Sequence, residues 1–139
     1  MPADKPDLER AAGDYAALLL EHLGAPPRLD FIFLGLGSDA HTASLFPHAE
    51  ILQETQHFVR ATTRAPIAPR LTLTFPAFAA AREVLFVVTG ADKAAAVAAV
   101  HAPQRDIARL PAQGVRGAHV SWLVDREAAT FLAPLPPPA

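Results

Sequence analysis

Residues 7–23, DLERAAGDYAALLLEHL, place Leu8, Ala11, Ala12, Tyr15, Leu18, Leu19 and Leu23 three and four positions apart. This spacing predicts an amphipathic helix with one apolar face. Gly24 and the pair Pro26–Pro27 supply its stop. The next run, LDFIFLG, has no polar alternation and predicts a strand buried on both faces, as at the centre of a parallel sheet. Residues 48–58 read as a short polar helix and loop, and ATTRAPIAPR as a loop broken by proline. LTLTF alternates with period two and predicts a short strand. PAFAAAR opens on proline, which suits a first helical turn. EVLFVVTG predicts a second buried strand, ADKAAAVAAVHA a helix stopped near Pro103, AHVSWLVD a third strand and REAATFL a closing helix. APLPPPA reads as an extended tail.

Strands alternating with helices predict βαβ units, and so an α/β fold with a mostly parallel, Rossmann-like sheet flanked by helices. The 139 residues amount to one domain, and with 51% of them apolar the chain can fill a core. A doubly wound sheet needs more strands than these to cover both sides. The pattern therefore reads as the second half of a larger α/β domain, lacking its N-terminal strands.

Charge narrows the partners. Fourteen acidic and twelve basic side chains give a net charge of −2, scattered along the chain, which is no footprint for nucleic acid or an anionic membrane. The absence of cysteine excludes a disulfide scaffold, a thiolate zinc site and a cysteine nucleophile. The opening MPADKPDLERAAGDY lacks the basic and apolar regions of a signal peptide, and no apolar stretch is long enough to span a bilayer. The cytoplasm is the expected compartment.

The candidate chemistry lies in GLGSDAHTASLFP, residues 35–47. Gly35-x-Gly37-x-x-Ala40 after a strand matches a dinucleotide fingerprint, but weakly. The region where an acid should follow is FVRATTR, with no carboxylate, and Pro47 interrupts the long helix such a loop requires. Asp39 and His41 fall at the end of a buried strand, where open α/β sheets place ligand crevices. An imidazole there can accept a proton and a carboxylate two residues away can hold the ring. A helical turn starting after residue 40 would disfavour imidazolium through its dipole. The plainer alternative, an Asp helix cap and a surface histidine, fits the spacing as well. Histidines 22, 48, 57, 101 and 119 fit no metal spacing, so no metal is expected. No G-x-S-x-G elbow surrounds Ser38 or Ser44. Lys93 stands in a first helical turn, where a cation opposes the dipole; it either meets a phosphate at the helix start or is offset by Asp92 and points to water. Arg64 and Arg70 flank the proline loop and could clamp an anion. Trp122 and the phenylalanines read as core.

The same stretch resembles the 6-phosphogluconolactonase signature, G-x-G-x-D-G-H-T-A-S-L-F-P. APRLTLTFPAFAAAREVLFVVTGADKAAAV and VSWLVDREAA resemble later segments of that family in the same order, and the similarity runs from about residue 10 to residue 132. It implies a fold shared with glucosamine-6-phosphate deaminases, and hydrolysis of 6-phospho-D-glucono-1,5-lactone to 6-phosphogluconate in the pentose phosphate pathway without a cofactor. On this resemblance His41 is the base that activates water, Asp39 the acid beside it, Lys93 the lysine near the phosphate, and Arg70 the arginine before the strand. Arg64 lies near a basic position, and Gly35 and Gly37 form the loop against substrate. Deaminases carry a glutamate where this chain has Phe46, which cannot move a proton. The expected substrate is thus a lactone. A non-catalytic or weakly sugar-phosphate-binding fragment is the alternative, and an amino-sugar-phosphate isomerase a further one.

Two departures stand out. Ala40 replaces a glycine, at a cost of about 1 kcal/mol or more if φ is positive there. The family's preceding stretch, with its G-G-x-T-P phosphate loop and D-E-R segment, is not in this sequence. Residues 1–132 are accordingly expected to be the C-terminal part of one domain and 133–139 a proline-rich tail. A homodimer, or a partner supplying the N-terminal half, would complete it.

Overall fold

The computed structural model describes residues 1–62 and 68–132; Arg64 and the 133–139 tail lie outside them. The elements, in chain order, are α1 (Leu8–Leu23), β1 (Phe31–Leu34), β2 (Val59–Thr62), β3 (Arg70–Leu73), α2 (Phe75–Ala80), β4 (Glu83–Val88), α3 (Ala94–His101) and β5 (His119–Val124). Helix α1 starts at an Asp7 cap, whose carboxylate accepts the Arg10 N–H at 3.0 Å. It ends at Gly24, where φ is 83° and the N–H reaches the Leu20 carbonyl.

The expected parallel sheet is present, in the order β1-β4-β5, with both pairings parallel. Its register aligns Ile32, Val84 and Val120, then Leu34, Phe86 and Trp122, so these side chains share one face. That face carries the core: Val84 and Phe86 are wholly buried, and the Phe86 and Trp122 rings stack 3.8 Å apart. Helix residues Ala96 and Val97 and the wholly buried Phe78 close over it.

The other face corrects the reading of LDFIFLG. β1 is an edge strand, and Phe33 is 70% exposed, with Phe31, Val87 and Leu123 exposed on the same side. The six-residue β4 holds the centre because, among the described strands, it alone pairs on both edges. Continuous apolar character does encode two-sided burial in a parallel sheet, but among the described residues only one side is covered. Phe131 is likewise exposed, so not every phenylalanine is core.

Helix α1 packs on the β2–β3 hairpin, where Ala11 and Ala12 meet Val59 and Leu71. Leu18 and Leu23 of its apolar face remain exposed. β2 is not evident in the sequence, because VRAT has little hydrophobic signal; antiparallel pairing of Val59 with Leu73 and Thr62 with Arg70 makes it a strand. REAATFL forms turns and no helix. Asp125 takes the Ala128 N–H at 2.7 Å and the Thr130 hydroxyl donates to the Glu127 carbonyl at 2.7 Å, while prolines from 134 onward leave too few residues to repay nucleation. No helix among the described residues is long and apolar enough to cross a membrane.

Candidate active site

The loop leaving β1 folds back on itself. The Gly37 N–H donates to the His41 carbonyl at 2.8 Å and the Ala40 N–H to the Gly37 carbonyl at 2.9 Å. Closing this loop puts Ala40 at φ 65°, the left-handed backbone for which glycine is the easier residue. Thr42, 1% exposed, donates its hydroxyl to the Gly35 carbonyl at 2.9 Å, and Thr42 bridges Leu45. A turn, not a helix start, therefore follows residue 40, so the expected dipole of a helix beginning there is missing. The Ser44 N–H reaches Thr72 Oγ1 at 3.1 Å, tying the loop to β3. Thr42 carries no signal in its spacing; its role comes from the fold. Thr42→Val keeps the shape and removes the bond. It is expected to cost about 1–2 kcal/mol, read as a lower urea midpoint at unchanged slope; an unchanged midpoint would show the bond to be dispensable.

Asp39 caps no helix. Its Oδ1 lies 2.6 Å from His41 Nδ1 and accepts the His41 backbone N–H at 3.1 Å. Burial works to raise the Asp39 carboxyl, but the hydrogen bonds and charge of His41 outweigh it and hold the group below its ordinary value. An ionised carboxylate can only accept, so Nδ1 carries a proton, and in the neutral ring the lone pair is then on Nε2. Nε2 has no hydrogen bond among the described residues. Phe46 packs on the imidazole, with centroids 4.5 Å apart.

Gly35, Gly37, His41, Thr42 and Lys93 line one cleft of about 390 Å³ at the C-terminal ends of β1 and β4. Lys93 arrives there because Gly90, at φ 100°, turns the chain after β4 into a 3-10 turn, Ala91–Lys93, that leads into α3. Its Nζ pairs with Asp92 at 3.0 Å, so Asp92 offsets its charge while the side chain also borders the cleft. Arg70 begins β3 opposite Thr62 and does not line this cleft; Arg64 is outside the described residues.

A larger groove of about 730 Å³ lies elsewhere, beside β2, and is lined by Glu9, Glu50, Glu54 and Arg60. Three carboxylates around one guanidinium make it a poor receptor for a phosphorylated substrate. Glu54 bonds Arg60 at 3.1 Å. The N–H groups of Gln56 and then His57 are the main causes that bring its carboxyl down to about 2 from an ordinary 4.5. A carboxyl lowered by folding stabilises the fold above its ordinary value and loses that contribution as pH falls toward 2. Glu54→Gln should thus be less stable than the parent at pH 7 and converge with it near pH 2 in urea titrations. A constant deficit across that range would contradict the assignment.

Residues 1–124 match the family described as glucosamine-6-phosphate isomerases/6-phosphogluconolactonase. The chain is 42% identical to a 6-phosphogluconolactonase of Streptomyces coelicolor over 142 residues, covering 96% of this chain and 54% of that one. It is 39% identical to the human 6-phosphogluconolactonase over 131 residues, 90% of this chain and 50% of that one. The solved structure of the Trypanosoma brucei 6-phosphogluconolactonase superposes with a TM-score of 0.78 at 31% identity, over 91% of this chain and 54% of that one. The chain spans about half the length of these relatives. With the histidine loop, the parallel sheet and the similarity all in agreement, the chain belongs to the glucosamine-6-phosphate isomerase/6-phosphogluconolactonase family.

Proposed function

We propose that this chain carries the water-activating part of a hydrolase that converts 6-phospho-D-glucono-1,5-lactone to 6-phosphogluconate. The observation that supports it most is the 2.6 Å contact between Asp39 and His41 Nδ1, which directs the basic lone pair to Nε2. Nε2 takes a proton from water as its oxygen bonds to the lactone carbonyl carbon. The tetrahedral oxyanion collapses, the bond from that carbon to the ring oxygen breaks, and His41 returns the proton to the departing oxygen. Lys93, on the same cleft, holds the phosphate with the N–H groups at the start of α3. Arg70 begins β3 and does not line this cleft, which leaves Arg64, in the proline-rich sequence that precedes it, as the remaining basic candidate for that anion. Phe46 on the imidazole face has no proton to give, which disfavours an isomerase that must shuttle protons between carbons.

The rest of the site belongs, on this reading, to a further α/β segment that pairs with the free edge of β1 and covers Phe31, Phe33, Val87 and Leu123. It corresponds to the length that the relatives have and this chain does not span. A second copy of the chain is the competing occupant, and light scattering distinguishes the two. A second reading is a module that binds sugar phosphate without turnover, which Lys93 on the cleft would serve equally.

The deciding experiment is lactone hydrolysis by the 139-residue chain, alone and with the N-terminal half of the Streptomyces coelicolor relative. Turnover in either setting that disappears with His41→Ala is expected. Binding of 6-phosphogluconate without turnover in both settings would replace the hydrolase by the binding module.

A further inference from the structure

The segment after α3 touches the histidine loop twice. The Ala108 carbonyl accepts the His48 N–H at 2.7 Å, and the Ala112 N–H donates to the Ala40 carbonyl at 3.1 Å. Ala40 directly precedes His41 and has a left-handed backbone, so the direction of its carbonyl is set together with that of the histidine.

One buried amide ties this segment to α3. Gln113 is 7% exposed, and its side chain bonds to four backbone groups. Nε2 lies 3.3, 3.2 and 3.1 Å from the carbonyls of Ala99, Val100 and Gln104, and Oε1 accepts the Asp106 N–H at 2.8 Å. The Ala99 and Val100 carbonyls belong to the last turn of α3, where Ala99 also accepts the Ala102 N–H at 3.3 Å. The Gln113 carbonyl in turn accepts Arg105 Nη2 at 2.7 Å. The helix that Lys93 leads into is therefore joined through Gln113 to the residue next in line, Ala112, that grips the loop of His41. A leucine would fill the same space, but it could not fix the orientation of the 104–114 segment.

We propose that Gln113 is a positioning residue that sets the placement of His41 relative to Lys93. The catalytic consequence rests on the lactonase reading above; the mechanical one does not. The test uses Gln113→Met, which removes both kinds of bond, and Gln113→Glu, which keeps the acceptor for Asp106 and removes the donors. Each is made in the 139-residue chain, with the imidazole nitrogen signals of His41 followed by NMR and identified by their loss in His41→Ala. Both variants are expected to shift the His41 signals and to speed hydrogen exchange at the Ala112 amide by at least tenfold. A role confined to holding residues 104–113 together would alter exchange there and leave the His41 ring signals in place. Unchanged His41 signals in either folded variant would overturn the proposal. In lactone assays kcat should fall about tenfold with little change in KM, as for a slightly misplaced base beside an intact phosphate contact. Should the parent show no turnover either alone or with the N-terminal half of the Streptomyces coelicolor relative, the lactonase reading fails by itself and the His41 signals still decide the role of Gln113.

Discussion

His41→Ala is expected to lower lactone hydrolysis by about 10²–10⁴-fold, the usual contribution of a positioned base. Binding of 6-phosphogluconate should persist, because the substitution leaves Lys93 and the start of α3 untouched. The fold should survive as well: the imidazole is partly exposed, and its principal contacts are one hydrogen bond to Asp39 and the Phe46 ring. Asp39→Asn gives the sharper version of the same test. An amide at position 39 can donate to Nδ1, which would move the proton to Nε2 and leave the base with no lone pair facing water. The loss of kcat should then approach that of His41→Ala, with the side chain still present. Steady-state kinetics and a thermal melt on each variant suffice. Retained turnover in folded His41→Ala would remove His41 from the mechanism.

Gly37→Ala should be nearly as damaging, although the added methyl carries no chemistry. A Cβ at position 37 would lie 2.0 Å from His41 Nδ1, 2.3 Å from Cε1 and 2.5 Å from Asp39 Oδ1. No real contact is that short, so the ring must swing away and the 2.6 Å bond to Asp39 must break. The loop cannot simply move off, because Gly37 is bonded through its N–H to His41 and through its carbonyl to Ala40. A misplacement of about 1 Å at a reacting group costs on the order of 10²-fold in rate, and the loss should appear in kcat. Gly35 is the internal control: a Cβ there meets nothing within 4 Å. Gly35→Ala should therefore retain much more activity than Gly37→Ala, and equal losses at the two positions would refute the steric account.

Much of the site is legible in the amino-acid sequence. The pairing of Asp39 with His41 and the arrival of Lys93 at the same sheet edge both follow from motifs placed just after strands. Spacing alone leaves Asp39 equally suited to capping a helix, and only the turn through Thr42 and Leu45 removes that option. Arg70 shows the opposite limit. A basic residue before a strand resembles an anion clamp, yet β3 pairs with β2 and leaves Arg70 away from the lining of the cleft.

Local chemistry by itself determined the ends of α1, the three parallel strands and the loop that bears His41. Those depend on caps, on period and on runs of apolar residues, all of which are local in sequence. Tertiary structure decided three other matters: that LDFIFLG lies at an edge, that VRAT is a strand, and that Gln113 joins α3 to the histidine loop. Each of these depends on a partner far along the chain. An apolar run states that it must be covered, without stating by what, and a lone glutamine reveals nothing of the four backbone groups that its amide will meet.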